Sequence, residues 1–221
     1  MKTLDPAKLA LVAALAIAPQ TAYAAAGDTF VRVRAIMVAP NEKSGPILPT
    51  FPTEKVKISN SAMPEVDITH MVSDHVGFEL IAATTKHSAS GRTGTTGSIG
   101  KLASTWVLPP TLTAQYHFNP EGKVRPYVGA GVNYTLFYSE KPSNGLETAV
   151  GQTKVKMKSS AGWAVQGGID IALGKHSFLN LDIKYIDIDT TARLRTTAIG
   201  TQRVKVNLDP IVVGVGLGFR L

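Results

Sequence analysis

The feature that most constrains the fold is a strict alternation of apolar residues with glycines or polar residues. It is clearest in the stretch DPIVVGVGLGFRL, where Ile211, Val213, Val215, Leu217 and Phe219 occupy every second position. Side chains of a β-strand point to its two faces in turn, so this stretch predicts a strand with one apolar face. Such a strand at the end of a chain is an aggregation-prone edge unless its surroundings cover it.

The same period of two recurs along the chain, and no convincing amphipathic helix separates the repeats. The chain is therefore predicted to be all-β and antiparallel. The eight predicted strands fall within residues 28–38, 64–72, 76–84, 111–118, 124–138, 163–171, 179–185 and 209–221.

The connections alternate in length. Three are tight turns, SDH, NPEGK and GKHS, rich in Asp, Asn, Pro and Gly. Four are long, at about residues 40–63, 85–103, 140–158 and 188–204. An even strand count with short turns at one end and long loops at the other is typical of outer-membrane proteins, because closing the sheet leaves no edge in hydrocarbon. We therefore predict that residues 25–221 form an eight-stranded antiparallel transmembrane β-barrel with short periplasmic turns and long extracellular loops.

The two faces of the strands indicate which side meets lipid. A soluble, lipocalin-like barrel would place its apolar face inside, but here aromatic residues near strand ends accompany the more purely apolar face, as in interfacial girdles. The predicted lipid-interface aromatics are Tyr116, Phe118, Tyr134, Tyr138, Trp163, Tyr185 and Phe219. The residues predicted to line or constrict the lumen are Arg32, Arg34, Glu79, Ile81, Gln115, Asn133, Gln166, Asp170, Asp182 and Lys184.

The first 24 residues have the layout of a secretory signal peptide. Lys2 and Lys8 precede an apolar run that is too short to span a bilayer, and small residues follow around Ala24. Cleavage after Ala26, or a retained N-terminal helix, is the alternative.

The charge and composition of the mature chain exclude two classes of protein. Cleavage of the signal peptide removes two lysines and one aspartate and so changes the formal charge from +7 to +6, and the chain has no cysteine. The basic residues are scattered and lack an RNA-binding motif, which argues against a nucleic-acid partner. No apolar run of about 18 residues follows, which excludes a helical membrane protein.

The segments LPPTLTAQYHF, RPYVGAGVNYT, YIDIDTTARL and LDPIVVGVGLGFRL closely resemble the OmpW family of small outer-membrane porins, and DHVGFELIAAT resembles its third strand. The resemblance implies a barrel in the outer membrane of a Gram-negative cell, embedded in its lipid. It also implies a narrow, largely hydrophobic interior through which small apolar molecules pass, with lateral exit into the bilayer.

The sequence departs from the family pattern at two positions. Members generally end in an aromatic residue that the barrel-assembly machinery reads, whereas Leu221 is the last residue here and Phe219 is the nearest aromatic. Lys184 occupies a position where relatives can carry a tryptophan that narrows the lumen, and Ile81 occupies the counterpart on the third strand. A lysine would make this constriction more polar, or would pair with Asp182, Asp170 or Glu79.

The inward charges leave two interpretations of function open. They could neutralise one another as a plug, since eight strands enclose little more than their own side chains. They could instead form a polar floor beneath a thin apolar route. The residues alone leave the two nearly balanced, and the resemblance favours passive uptake of small hydrophobic molecules. The alternative is a plugged structural or receptor barrel whose extracellular loops mediate adhesion or ligand binding.

No catalytic, cofactor or metal site is predicted. His70 lies near Ser73 and His87 near Ser88 in sequence, but a triad requires a particular geometry, so a lipid hydrolase is a weaker alternative. Asp187 and Asp189 are interpreted as a pair at the rim. We expect no enzyme activity.

The long connections carry far more basic than acidic residues, and arginine and lysine bind phosphate well. Some of these cations are therefore predicted to contact lipopolysaccharide phosphates. The basic residues are Lys43, Lys55, Lys57, Lys86, Arg92, Lys101, Lys141, Lys154, Lys156, Lys158, Arg193, Arg195, Arg203 and Lys205.

Overall fold

The computed structural model describes residues 25–221, and the predicted signal peptide, residues 1–24, lies outside them. Strands account for most of this part of the chain. In chain order the elements are β1 (Thr29–Ala39), β2 (Lys43–Ser44), β3 (Val56–Ile58), β4 (Ser61–Met71), β5 (Val76–Ala83), β6 (Thr85–Gly91), α1 (Gly94–Ile99), β7 (Lys101–Leu108), β8 (Thr111–His117), β9 (Val124–Pro142), α2 (Asn144–Val150), β10 (Thr153–Met157), β11 (Ser160–Ala172), β12 (Ser177–Ile186), β13 (Asp189–Thr196), β14 (Gly200–Asn207) and β15 (Ile211–Arg220).

Eight of these strands close into an antiparallel barrel, in the order β1, β4, β5, β8, β9, β11, β12 and β15, with β15 beside β1. The closure is complete because β9 pairs with both β8 and β11. Each predicted strand segment corresponds to one barrel strand, so the predicted fold is confirmed.

The long connections contain more regular structure than the sequence analysis predicted. β10, β13, β14 and β2 form a four-stranded sheet, while β6 and β7 continue the wall beside the long strand β9. We call everything between the barrel strands at this end, including α1 and α2, the extracellular extension. Its strands keep the period of two, as in TKVKM, but their outward residues are charged rather than apolar. The sheet therefore has an apolar inner face and a charged outer face, as expected for a sheet that is exposed to water on one side.

The barrel wall is apolar outside and polar inside. Outward residues such as Val132 and Ile183 are 63% and 53% exposed, whereas inward Arg32 and Glu79 are fully buried. This inversion of a soluble core is the arrangement expected when lipid surrounds the barrel. In the part of the chain that the structure describes, no helix is long and apolar enough to cross a membrane.

The glycines of β15 have a packing role on its inward face. A Cβ at Gly216 would lie 2.1 Å from the Val33 carbonyl oxygen and 2.6 Å from the Cα of Arg34. A Cβ at Gly218 would lie 2.2 Å from the Phe178 ring. The missing side chains let β15 lie close to β1 and leave room for Arg34 and Phe178.

The extracellular extension has its own hydrophobic core, continuous with the upper end of the barrel. It joins inward residues of the barrel strands, such as Ile36 and Val212, with residues of β13 and β14, such as Ala192 and Val204. Glu54 ties a loop to α1, because its carboxylate accepts hydrogen bonds from the Thr95 and Thr96 amides at 3.0 and 2.7 Å. Hydrogen bonding by Thr96 lowers the pKa of Glu54.

Candidate functional site

A buried network of charges fills the middle of the barrel, and Arg32 is one of its centres. Its guanidinium contacts Asp67 at 3.0 Å, Asp170 at 3.1 Å and the Thr69 hydroxyl at 2.6 Å. The rings of Phe30, Tyr127 and Phe178 surround it, with centroids 5.4 to 5.9 Å from Cζ. Arg32 therefore has both its charge compensated and its flat faces packed.

Arg34 and Lys184 form the upper part of the same network. Arg34 lies 2.8 Å from Glu65, 2.7 Å from Asp67 and 3.3 Å from Glu79. Lys184 donates to Glu65 at 3.0 Å and also to Asp182. Glu65 thus bridges the two cations.

Neutral polar side chains complete the network. Gln166 and Thr113 donate to Glu79 at 2.5 and 3.1 Å, and the Tyr127 hydroxyl donates to Asp182 at 2.8 Å. Asn180 donates to Asp170 at 2.7 Å. Breaking such a network leaves buried charges without partners, which costs several kcal/mol per ion, so it resists the passage of an apolar solute.

An apolar cavity of about 130 Å³ lies directly above this network, at the extracellular end. Ile81, Glu65 and Lys184 line its lower end, where it meets the charges. Its walls come from both the upper barrel and the extension. Representative wall residues are Ile36, Val38, Ala83, Leu102, Val107, Phe137, Val155, Ile186, Ala192, Val204, Val206 and Val212.

The barrel wall beside the cavity is interrupted at Pro109 and Pro110. β5 pairs with β8 as far as Ile81 and Thr111, and pairing resumes between Thr85 of β6 and Val107 of β7. The prolines between these pairs have no N–H to donate to a ladder. Pro109 itself lines the cavity. The interruption is therefore a place where the apolar interior and the lipid-facing surface are separated by few backbone hydrogen bonds.

All ten side chains predicted for the lumen are buried inside the barrel. Nine take part in the network or touch the cavity floor, or lie within hydrogen-bonding reach of a neighbouring inward side chain. Asn133 instead donates to the backbone oxygens of Trp163 and Asp187 at 3.3 and 3.1 Å. The ten are Arg32, Arg34, Glu79, Ile81, Gln115, Asn133, Gln166, Asp170, Asp182 and Lys184.

Several network residues were absent from that set. Glu65 and Asp67 lie four and two positions before Thr69 on the inward face of β4, so the alternation itself could have identified them. Tyr127 and Asn180 could have been found in the same way. The predicted pairing of Lys184 with Asp182 is confirmed. Its second partner, Glu65, could not be found from the sequence, because Glu65 is 119 residues away.

The predicted interface aromatics face outward at the two ends of the barrel. Tyr116, Phe118 and Phe219 lie at the end with the short turns, whereas Trp163 and Tyr185 lie at the other, with ring centroids 5.1 Å apart. Tyr134 and Tyr138 are also outward, at 53% and 42% exposure. Tyr185 is half-buried.

The histidines and acids outside the barrel form no recognisable catalytic arrangement among the described residues. His70 contacts the Thr29 hydroxyl, and His87 contacts the Ser59 carbonyl and Thr85, rather than Ser73 or Ser88. Asp187, Asp189 and Asp209 bring carboxylate oxygens within 4.8 Å of one another at the rim. Partial desolvation and the two neighbouring carboxylates raise the pKa of Asp189.

Comparison with known proteins agrees with this architecture. Outer membrane protein W of Vibrio cholerae serotype O1 is 35% identical over 214 residues, covering 96% of each chain. Outer membrane protein W of Escherichia coli K12 is also 35% identical, over the full length of both. The predicted location in the Gram-negative outer membrane is confirmed by these relatives.

Solved structures show the same barrel. The crystal structure of OprG from Pseudomonas aeruginosa superposes with a TM-score of 0.84 at 29% identity, covering 92% of this chain and 99% of that one. The solution structure of Escherichia coli outer membrane protein W gives 0.57 at 32% identity, covering 89% and 99%. The solid-state structure of AlkL in lipid bilayers gives 0.65 at 22% identity, covering 89% and 91%, and shows the shared fold.

These relatives support a role as a membrane channel or transporter. The OmpW family model matches residues 25–221, the whole of the described chain. The protein therefore belongs to the OmpW family of outer-membrane β-barrels.

Proposed function

We propose that this protein admits small hydrophobic molecules passively across the outer membrane. The observation that carries the proposal is the abrupt change along the barrel axis, from an apolar cavity to a floor of paired charges. An apolar molecule that enters the cavity removes its surface from water, which is favourable by about 25 cal/mol for each Å² buried. It gains nothing from the charged layer below. The binding step needs no cofactor, chemistry or energy source, and the solute gradient alone drives flux.

The exit is lateral. A solute stopped by Glu65 and Lys184 stands beside Pro109, where the wall between β5 and β8 lacks ladder hydrogen bonds. Separating the strands there breaks fewer bonds than elsewhere in the wall. The solute then leaves into the hydrocarbon and avoids the charged interior.

The proposed route can be tested with a substitution on β1 that fills the cavity and lies far from the interruption at Pro109 and Pro110. Val38 lines the cavity, whereas its neighbour Met37 points to lipid and is 44% exposed. Val38→Phe is expected to reduce uptake of a labelled apolar compound into proteoliposomes at least severalfold, and Met37→Phe is the matched control. Both variants should retain the folded electrophoretic mobility of the barrel.

Equal uptake by Val38→Phe and the unaltered protein would contradict the proposed route. No uptake above that of empty liposomes by the unaltered protein would favour the other function, a plugged structural or receptor barrel. The buried network is the specific observation that favours this alternative, because it closes the axial path. Activity as a lipid hydrolase is not part of the proposal, since His70 and His87 have structural partners.

Two partners belong to the proposal besides lipid and solute. The barrel-assembly machinery would insert the chain, with Phe219 as the aromatic residue nearest its end. Lipopolysaccharide would surround the extension in the outer leaflet.

A further inference from the structure

The outer face of the sheet β10–β13–β14–β2 is densely cationic. Inward residues of these strands, such as Ala192 and Val206, pack in the core, so the alternating Lys and Arg side chains point away from the barrel axis. A concave groove of about 1030 Å³ crosses this face. Its basic residues are Lys156, Lys158, Arg193, Arg203 and Lys205.

The strand register places like charges side by side. Lys156 lies opposite Arg193, and Arg193 lies opposite Arg203, which makes a row of three cations across three strands. Neighbouring strands are about 4.8 Å apart, and like charges directly opposite destabilise a sheet. The arrangement therefore weakens the sheet in isolation and favours a bound anion.

Few of the positive charges in the groove are paired with acidic side chains of the protein. Of its five cations, only Lys156 has a carboxylate within 4.0 Å among the described residues, Glu140 at 3.2 Å. No acidic residue lines the groove. Leu48 and the prolines beside it form one apolar wall, since Leu48 pairs with Arg203.

The position of the groove identifies its occupant. β13 and β14 continue directly from β12 and β15, whose outward residues Ile183 and Val213 face lipid. The groove therefore faces sideways, just above the hydrocarbon of the outer leaflet, toward neighbouring lipid head groups. In a Gram-negative outer membrane these are the phosphorylated sugars of lipopolysaccharide, and Arg binds phosphate oxygens in bidentate fashion.

We propose that this groove is a binding site for the phosphate groups of lipopolysaccharide, with Arg193, Arg203 and Lys205 as its main contacts. It binds from the side, as part of the lipid annulus. It is separate from the solute route, because the cavity lies on the opposite face of the same sheet.

The test compares two triple variants of the full barrel in detergent. Arg193→Gln, Arg203→Gln and Lys205→Gln neutralise the groove. Lys57→Gln, Lys101→Gln and Lys141→Gln remove the same charge from exposed positions on the other side of the extension. Binding of purified lipopolysaccharide, intact or dephosphorylated with hydrofluoric acid, is measured by surface plasmon resonance at several salt concentrations.

The groove variant is expected to bind intact lipopolysaccharide at least tenfold more weakly, with a shallower salt dependence. The control variant and the unaltered protein should bind alike, and dephosphorylated lipopolysaccharide should bind all three equally weakly. Equal binding by the groove variant, an equal loss in the control variant, or undiminished binding of the dephosphorylated form would overturn the proposal. Uptake of apolar solute by the groove variant should stay unchanged, so the two proposals fail independently.

Discussion

At the scale of single residues, the interior of this barrel depends on pairing charges that have no access to water. Arg34 contacts four carboxylates, and each of these also contacts another cation. A buried pair is weak evidence for stability as a whole, but removing one partner leaves the others uncompensated. Single substitutions in the network should therefore have large effects.

Replacing Arg34 by methionine keeps most of the side-chain volume and removes the charge. Glu65, Asp67 and Glu79 then lose their closest shared partner. We expect the free energy of unfolding to fall by about 3–5 kcal/mol. The measurement is urea unfolding in lipid vesicles, followed by the fluorescence of Trp106 and Trp163.

The control is Lys101→Met, an exposed position at which the change should stay within about 0.5 kcal/mol. If Arg34→Met unfolds at the same urea concentration as Lys101→Met, the network does not hold the barrel together. Water entering the interior would then be screening the charges.

At the scale of strands, period-two alternation located all eight barrel strands, because lipid makes the outward positions uniformly apolar. It did not locate β10, β13 and β14, whose outward residues are Lys, Arg and Thr, as in loops. The alternation of inward and outward positions also predicted which side chains point into the barrel, as Arg32 and Lys184 show. It could not predict that Lys184 pairs with Glu65, because such pairs depend on which strands face each other across the lumen.

One side-chain bond spans the outer surface beside the proline interruption. The hydroxyls of Thr84, at the end of β5, and Tyr138, on β9, lie 2.6 Å apart across β7. Tyr138→Phe should therefore ease local opening, with severalfold faster hydrogen exchange at Thr85 and Val107 and faster uptake of apolar solute. Global stability should fall by no more than about 1 kcal/mol, the net contribution of one hydrogen bond.

Tyr134→Phe is the matched control, since the Tyr134 side chain faces outward and its hydroxyl has no hydrogen-bond partner in the described chain. Faster exchange in both variants, or in neither, would show that the bond between Thr84 and Tyr138 does not restrain this part of the wall. Faster exchange without faster uptake would place the exit elsewhere.

At the scale of the whole molecule, the barrel with its polar interior and the extracellular extension have different roles. The barrel strands close through continuous pairing and contain the charge network, while β13 and β14 supply part of the cavity wall through Ala192, Leu194, Val204 and Val206. The extension therefore turns the open mouth of a plugged barrel into an apolar chamber. Its outer face carries the cationic groove, so one sheet serves both proposed roles.

Shortening the β13–β14 hairpin separates these contributions. Thr191 pairs with Lys205, so residues 192–204 can be replaced by Asn-Gly, which favours a tight hairpin turn. The barrel should still fold, because this hairpin supplies none of its eight strands. Uptake of apolar solute in proteoliposomes should fall close to that of empty vesicles, since the chamber loses one wall. The groove variant with three Gln substitutions is the control, because it changes only the outer face of the same hairpin and should transport normally. Undiminished uptake by the shortened protein would mean that the upper barrel alone, around Ile36 and Val212, binds the solute.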